Sequence, residues 1–187
     1  MSMLQVKDLS IHFGGVKAVQ NVSFNIDSGI VYAVIGPNGA GKTTLFNLIT
    51  GVYKPTTGEI HLDGEAIGGK SPNELATRGV ARTFQNLQIC MNMSAVENVM
   101  VGAHLRLDRN LVKAALRFPG LKKRDAELRE EAAELMRFVG LGQYVEARAD
   151  AMSYGALKRL EIARALAMKP RLIFLDEPAA GLNPKET

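Results

Sequence analysis

Gly36-Pro37-Asn38-Gly39-Ala40-Gly41-Lys42-Thr43 is the stretch of sequence that decides the fold. It has the spacing G-x-x-x-x-G-K-T of a phosphate-binding loop, or P-loop. The run before it, residues 30–35, is continuous, apolar and largely β-branched, which predicts a buried strand. After it, apolar residues recur at helical spacing as far as Ile49, and Gly51 can end that helix. Strand, glycine-rich loop and helix together predict a nucleotide site.

Each position of the P-loop has a chemical reason. Glycines let the backbone curl so that several N–H groups point at one phosphate chain, and the helix N-terminus adds partial positive charge. We expect Lys42 to reach the β- and γ-phosphates and the Thr43 hydroxyl to hold Mg²⁺. The residues of this segment that we predict to bind nucleotide are Gly36, Pro37, Asn38, Gly39, Ala40, Gly41, Lys42, Thr43 and Thr44.

Composition narrows the class of protein. A chain of 187 residues, 47% of them hydrophobic, is long and apolar enough for one substantial domain with its own core. The net charge of +4 is too small to indicate nucleic acid as a partner. No apolar run approaches the length of a membrane span, and the first ten residues alternate like a strand rather than like a signal peptide. The single cysteine, Cys90, has no internal disulfide partner, so a reducing cytosol is expected.

The change from strand-like to helical periodicity along the sequence predicts an α/β core that carries a helical insert. Residues 1–85 and 169–187 are assigned to the core and to an antiparallel β subdomain with a hairpin at Asp63-Gly64. Two strands are predicted before the P-loop, and the alternation of apolar residues in the first of them shifts phase once. Residues 86–168 are predicted to be a helical subdomain, in which Ser94 and Glu97 form a capping box and Ser153 can cap a later helix. Another capping box, at Ser71 and Glu74, predicts a short helix before residue 78. The fold class is therefore an α/β P-loop nucleoside triphosphatase with an antiparallel β subdomain and a helical insert.

A second chemical centre follows the hydrophobic run 172–175. Asp176 and Glu177 stand where a strand would end, and a carboxylate there, beside a P-loop, can hold Mg²⁺ through water. A second carboxylate next to it can accept a proton from an attacking water, so we predict Asp176 as a magnesium residue and Glu177 as the catalytic base. Gln85 follows the predicted strand 80–84, and its amide can reach the metal or the water; taken alone, its position favours an exposed loop residue.

The segment Ser153-Tyr154-Gly155-Ala156-Leu157-Lys158-Arg159 resembles the signature motif of ATP-binding cassette (ABC) proteins. With the P-loop, Gln85, Asp176-Glu177-Pro178 and the D-loop position at 180–184, the motifs occur in the order of that family over nearly the whole chain. The resemblance implies ATP and Mg²⁺ as ligands. It implies further that the residues with a role in the reaction or in binding the metal are Lys42, Gln85, Glu177, Thr43 and Asp176.

The same resemblance implies an adenine contact and a shared site. Phe13 stands where the family stacks an aromatic ring on adenine, and phenylalanine keeps the π face of the more usual tyrosine. Two subunits of the family pack head to tail, so Ser153 and Gly155 are expected to face the ATP held by the second subunit. Met152 and Ala156 replace the usual leucine and glutamine of the signature. We therefore expect Ala156 to weaken the hold on the second subunit's ATP.

Segments 13–19, 44–51, 81–86 and 178–184 resemble the ATP-binding subunits of branched-chain amino acid importers. That resemblance implies a bacterial or archaeal protein on the cytoplasmic face of the membrane, with transmembrane permease subunits as partners and no nucleic acid. It implies also a binding protein outside the membrane that delivers the substrate. The family docks its permease on the region 86–104, where Met91, Met93 and Met100 are candidate contacts or ordinary core residues.

The positions of the histidines bear on whether the sequence covers the whole family domain. The family continues beyond the second centre to a further strand and a histidine, but His12, His61 and His104 all precede Asp176. We therefore expect a fragment that lacks the last strand or strands and helices, with a gap in its sheet, low stability and little hydrolysis. One rival function is a non-transport ABC ATPase, but the tandem cassettes or long insertions usual in such proteins are not visible. The other is a non-hydrolysing nucleotide-binding module, against which Glu177 argues and for which the expected truncation argues.

Overall fold

The computed structural model of the chain describes residues 2–83, 85–106 and 119–178. These residues fall into two compact units, Met1–Arg78 and Gly79–Thr187. The predicted division into a core of 1–85 and 169–187 and a helical subdomain of 86–168 is not tested by this partition and stays a prediction.

The first unit is built on an antiparallel sheet. Its strands are β1 (Ser2–Phe13), β2 (Val16–Asp27), β3 (Thr57–Leu62) and β4 (Glu65–Ala66), in the spatial order β2-β1-β3-β4. Helix α1 (Lys42–Ile49) follows the P-loop, and helix α2 (Pro72–Thr77) follows the sheet. The predicted antiparallel pair before the P-loop and the hairpin at Asp63-Gly64 are both confirmed.

Strand β1 shows why this sheet forms. Leu4, Val6, Leu9 and Ile11 are all buried, but the spacing from Val6 to Leu9 breaks the alternation of a regular strand. The register with β2 shifts between these two residues, and Asp8 takes a positive φ of 47° there. A β-bulge of this kind returns the apolar side chains to the same face of the sheet, which confirms the phase change that the sequence indicates.

The predicted strand at residues 30–35 is wrong for this structure. The segment has no regular secondary structure, and Val31 and Ile35 are 96% and 92% exposed. No strand among the described residues pairs with it. A β-branched, apolar run expresses a preference for extended backbone, but a strand of a sheet also needs a neighbour to satisfy its N–H and C=O groups.

Two predicted capping boxes are confirmed. Ser71 caps α2, where its hydroxyl accepts from the Glu74 N–H at 3.4 Å and its own N–H donates to the Glu74 carboxylate at 2.9 Å. Ser94 and Glu97 repeat the arrangement at the next helix. The hydrogen bonds from the Ser71 N–H and hydroxyl lower the pKa of Glu74, and those from the Ser94 hydroxyl and N–H lower the pKa of Glu97.

The second unit contains two short parallel strands and a set of helices. Strands β5 (Val80–Arg82) and β6 (Leu172–Phe174) pair in register from Val80 and Leu172. The helices are α3 (Ala95–Gly102), α4 (Pro119–Phe138) and α5 (Tyr154–Leu166), with 3₁₀ turns at Ala103–Arg106, Gly142–Tyr144 and Ala149–Ala151. Of the helices in the described ranges, none has both the length and the hydropathy needed to cross a bilayer.

The three helices of the second unit share one apolar core. Val96 and Val99 of α3, Met136 of α4 and Leu160 of α5 are all fully buried in it. At Gly102 an added Cβ would lie 2.0 Å from the carbonyl oxygen of Arg164, so α3 touches the backbone of α5 and only glycine fits there. This packing confirms the helical pattern that the sequence shows in this region.

An ion-pair network ties the end of α3 to α4 and α5. The guanidinium of Arg106 donates to both carboxylate oxygens of Glu131, at 2.7 and 3.0 Å, and also to the carbonyl of Ala167 at 3.0 Å. Lys169 Nζ lies 3.1 Å from the same carboxylate. The hydrogen bond from Arg106, and after it the contact with Lys169, lowers the pKa of Glu131 from its ordinary value of 4.5.

We expect this network to make stability depend on pH in the acid range. Because the pKa of Glu131 is lowered on folding, its contribution is complete above pH 4.5 and is lost as the pH falls through the lowered value. Glu131→Gln should cost about 1 kcal/mol in the free energy of unfolding near pH 7 and much less near about pH 3. Urea unfolding followed by circular dichroism at several pH values measures this. Glu134→Gln, an exposed carboxamide substitution on the same helix, is the control. Equal losses for Glu131→Gln at both pH values would contradict the role of this carboxylate.

Candidate functional site

The P-loop has the curled backbone that a phosphate chain needs. The Ala40 N–H donates to the Pro37 carbonyl at 3.2 Å, which closes a turn inside the loop. Gly39 and Gly41 have φ of 82° and 85°, in the left-handed region that favours glycine. A Cβ on Gly41 would lie 2.5 Å from the carbonyl oxygen of Ala18, so the close passage of the loop past β2 also requires glycine.

Helix α1 begins with backbone donors that no side chain caps. Gly41 is its N-cap residue, and no side chain among the described residues caps it. The Lys42 ammonium lies across the loop and donates to the carbonyls of Gly36 at 2.7 Å and Pro37 at 3.0 Å. The Thr43 side chain is exposed at this helix start. Uncapped N–H groups, a cation and a hydroxyl together form a site that suits an anion with an associated metal.

Phe13, the last residue of β1, forms an aromatic pair with Tyr53. The half-exposed ring of Phe13 meets the ring of Tyr53 edge to face, with centroids 5.2 Å apart and planes at 74°. This geometry is a favourable one for aromatic rings. Sequence reasoning missed Tyr53. The available signal was an aromatic residue shortly after Gly51, the residue that ends α1.

In the second unit, Asp176 is buried and paired with an arginine. Its Oδ2 accepts from the Arg82 guanidinium at 3.0 Å, and both side chains are only 9% exposed. Its backbone N–H donates to the Thr83 hydroxyl at 3.3 Å. Sequence reasoning missed Arg82, whose signal was a basic residue in a short apolar strand.

Glu177, next to Asp176, has an unusual backbone. Its φ of 48° lies in the left-handed region, which costs a residue with a side chain about 1 kcal/mol. The side chain is exposed, in contrast to that of its neighbour. Backbone strain of this kind occurs at functional sites in proteins, and the catalytic role of Glu177 stays a prediction.

The remaining predicted residues also lie in the second unit. Gln85 is exposed just beyond β5, and its carbonyl oxygen accepts from Lys158 Nζ at 2.8 Å. Ser153 is the N-cap residue of α5, where its hydroxyl accepts from the Ala156 N–H at 3.3 Å. Gly155 is buried in the first turn of the same helix. The predicted N-cap and the helix after it are thus confirmed.

The surroundings of Ala156 bear on the expectation that this residue weakens the binding of a second subunit's ATP. Its side chain is buried in the helical core, where it belongs to the same cluster as Leu157 and Leu160. A glutamine in this position would have to leave the core or bury its amide, which is costly. The effect that the sequence suggests for Ala156 therefore cannot be isolated by a simple Ala156→Gln exchange.

The predicted site residues form two sets, one in each unit. The first unit contributes Phe13 and the residues from Gly36 to Thr44. The second unit contributes Gln85, Ser153, Gly155, Asp176 and Glu177. Of the predicted magnesium residues, Thr43 is in the first set and Gln85 and Asp176 are in the second.

Comparison with known sequences identifies relatives over almost the whole chain. The family profile described as ABC transporter matches residues 19–180. The chain is 45% identical to the high-affinity branched-chain amino acid transport ATP-binding protein BraF of Pseudomonas aeruginosa, over 99% of this chain and 72% of that protein. It is 41% identical to the corresponding protein LivG of Escherichia coli, over the same shares.

Solved structures give the same result. An ATP-binding cassette of an ABC transporter in its ADP conformation superposes with a TM-score of 0.83 at 34% identity, covering 100% of this chain and 72% of that one. The cbiO1 protein of Clostridium perfringens, part of the transporter complex cbiONQ, superposes with a TM-score of 0.81 at 28% identity, covering 99% of this chain and 69% of that one. The chain thus has the fold of these cassettes over the part that it shares with them.

We expect the Arg82–Asp176 pair to be strongly coupled. Arg82→Met should lower the free energy of unfolding by about 3 kcal/mol, because it leaves a buried carboxylate without its counter-charge. The double variant with Asp176→Asn should be more stable than the sum of the two single losses predicts, by about 1 kcal/mol or more. Urea unfolding of the four proteins of this cycle measures the coupling. Additive losses would contradict the pair.

Proposed function

Because the chain belongs to the ABC transporter family, we propose that it is the ATP-binding subunit of an importer for branched-chain or similar amino acids. In this role it couples the binding and hydrolysis of ATP to uptake. The names of the related proteins support the transport role, since BraF and LivG are both branched-chain amino acid transport ATP-binding proteins. The amino acid itself never enters the site of this subunit, so its identity rests on those relatives.

The observation that carries the proposal is the uncapped start of α1 behind the curled P-loop. The N–H groups of the first turn would donate to the phosphates of ATP, and Lys42 would exchange the carbonyls of Gly36 and Pro37 for phosphate oxygens. The Phe13 ring, held by Tyr53, would stack on the adenine. One end of the ligand is thus recognised by charge and the other by its aromatic face.

The side chains suit a magnesium-dependent hydrolysis. Thr43, Gln85 and Asp176 supply the hydroxyl, amide and carboxylate oxygens that Mg²⁺ prefers, and Arg82 holds the carboxylate in place. The metal supplies neutralisation of phosphate charge when it is bound. Glu177, exposed and ionisable, is suited to take the proton from the attacking water, and Gln85 to orient that water.

A complete site would require a second subunit. We propose a head-to-tail dimer in which Ser153 and Gly155, at the start of α5, face the γ-phosphate bound by the partner's P-loop. A helix N-terminus capped by serine offers donors of the right kind for an anion. ATP then joins the two subunits, and its hydrolysis releases them, which moves the transmembrane partners as rigid bodies.

The permease is proposed to dock on residues 86–104, at the cytoplasmic face of the membrane, and to receive substrate from a binding protein on the other side. Met91 and Val101 are exposed apolar side chains in this region, whereas Met93 and Met100 are half-buried. Met100 packs against the helical core, so Met91 is the methionine best suited to contact a partner.

We also propose that hydrolysis by this chain alone is weak. The segment 30–35 leads directly into the P-loop, yet it pairs with no described strand and exposes Val31 and Ile35. A P-loop works best when the strand before it is fixed in a sheet, since catalysis depends on accurate positioning. The expectation that the chain is a fragment of a longer protein stays a prediction.

The nucleotide part of the proposal is tested by Lys42→Ala. Titration with a fluorescent ATP analogue in the presence of Mg²⁺ should show an affinity about 50-fold lower than that of the parent chain, because a charge-assisted contact with phosphate is lost. Lys54→Ala removes an exposed lysine of the same unit and is the matched control. Equal affinities for Lys42→Ala and Lys54→Ala would contradict the site.

The transport part is tested by co-purification with the cognate permease subunits. Met91→Asp should reduce the recovered complex by about tenfold, because a charge replaces an apolar contact at the proposed interface. Phe138→Asp, at an exposed apolar residue of α4 outside this region, should leave recovery unchanged. The docking region is wrong if Phe138→Asp disrupts the complex and Met91→Asp does not.

A further inference from the structure

Lys158 is a buried cation with no part in the nucleotide chemistry described above. It lies in α5 and is only 5% exposed, on a helix that also carries Leu157 and Leu160 of the helical core. Burial of an ammonium group in such surroundings is costly unless specific partners compensate for the lost water. The burial of this ammonium group, a few residues into the helix that Ser153 caps, therefore requires specific contacts that stabilise it.

The ammonium group is directed to the backbone of a proposed catalytic residue. Lys158 Nζ donates to the carbonyl oxygen of Gln85 at 2.8 Å, and it lies 5.8 Å from the centre of the Tyr154 ring. The carbonyl of Gln85 and the N–H of Asn86 belong to the same planar peptide group. The contact thus fixes the peptide plane just after Gln85, while the Gln85 residue itself stays exposed.

Two further contacts hold the chain that follows. Arg164, also in α5, donates from its guanidinium to the carbonyl of Gln88. Asn98 of α3, fully buried, accepts from the Cys90 N–H at 2.8 Å and donates to the Cys90 carbonyl at 3.0 Å. Residues 85–90 are consequently held by side chains of the helices at their start, middle and end, rather than by strand pairing.

We propose that Lys158 is a positioning residue for Gln85, which it joins to the helix that presents Ser153 and Gly155. This inference rests on the proposed function, because it assigns Gln85 a place at the metal and the attacking water. The charge of Lys158 makes its hydrogen bond to the carbonyl stronger than one from a neutral donor. Any shift of the first turn of α5 would then be transmitted to Gln85 through a contact between residues 73 positions apart.

The contact is tested without nucleotide by hydrogen–deuterium exchange on the full chain. Lys158→Met keeps an apolar stem of similar length but removes the donor, and should raise amide exchange in residues 86–90 by about tenfold. Lys158→Arg should restore slow exchange, because a guanidinium can also donate to the carbonyl. Arg159→Met removes a charge one position along, from a side chain that lies beside Gly140, and is the control. Unchanged exchange in Lys158→Met would overturn the proposal.

A binding measurement separates a positioning role from a merely structural one. With a fluorescent ATP analogue, Lys158→Met should raise the Mg²⁺ concentration for half-maximal binding by about fivefold, with the affinity in the absence of Mg²⁺ unchanged. Lys158→Arg should return the parent value. An equal loss of affinity with and without Mg²⁺, together with a lower melting temperature, would overturn the proposal in favour of a structural role. A parent chain that fails to bind Mg-ATP contradicts the proposed function instead, and hydrogen exchange then decides on Lys158 by itself.

Discussion

The close passage of Gly41 past the carbonyl of Ala18 is the constraint on which the nucleotide site depends. No side chain fits in that gap, and the positive φ of Gly41 turns the chain directly into α1. Because the N-cap residue has no side chain, the first N–H groups of the helix have no side-chain cap from the described part of the chain. The proposed anion site is thus a result of how a glycine lets one loop lie against one strand.

Buried charge organises the other unit. Arg82 and Lys158 are both nearly inaccessible, and each contacts a residue for which we propose a role, Asp176 in one case and Gln85 in the other. Such charges are stable only where geometry supplies partners. The apolar core of α3, α4 and α5 gives the rigid surroundings that keep those partners in place. A small number of charged contacts thus connect the proposed site residues Asp176 and Gln85 to the rest of the unit.

Features set by neighbours in the chain were predictable from the sequence. The bulge in β1, the capping boxes at Ser71 and Ser94 and the N-cap Ser153 all follow from local patterns that carry their own physical cause. The motif residues were also identified as candidates, since their spacing is specific. The roles of Lys42, Thr43, Asp176 and Glu177 were predicted from their chemistry, whereas those of Phe13, Ser153 and Gly155 come from the family resemblance.

Features that depend on distant residues were not predictable. The run 30–35 has the composition of a buried strand, but whether it becomes one depends on a partner strand that composition does not specify. The ion pair of Arg82 with Asp176 joins residues that are 94 positions apart in the sequence, and no local pattern indicates it. Lys158 was likewise hidden, because a lysine in an amphipathic helix is normally taken for a surface residue.

The central claim is that the triphosphate of ATP binds at the N-terminus of α1. Backbone amide exchange of residues 39–45, measured by mass spectrometry with and without Mg-ATP, tests it most directly. The account predicts strong and local protection within this segment when the nucleotide is added, because the N–H groups at the start of α1, which no described side chain caps, become donors to phosphate. Binding of Mg-ATP with protection elsewhere and none in residues 39–45 would contradict it.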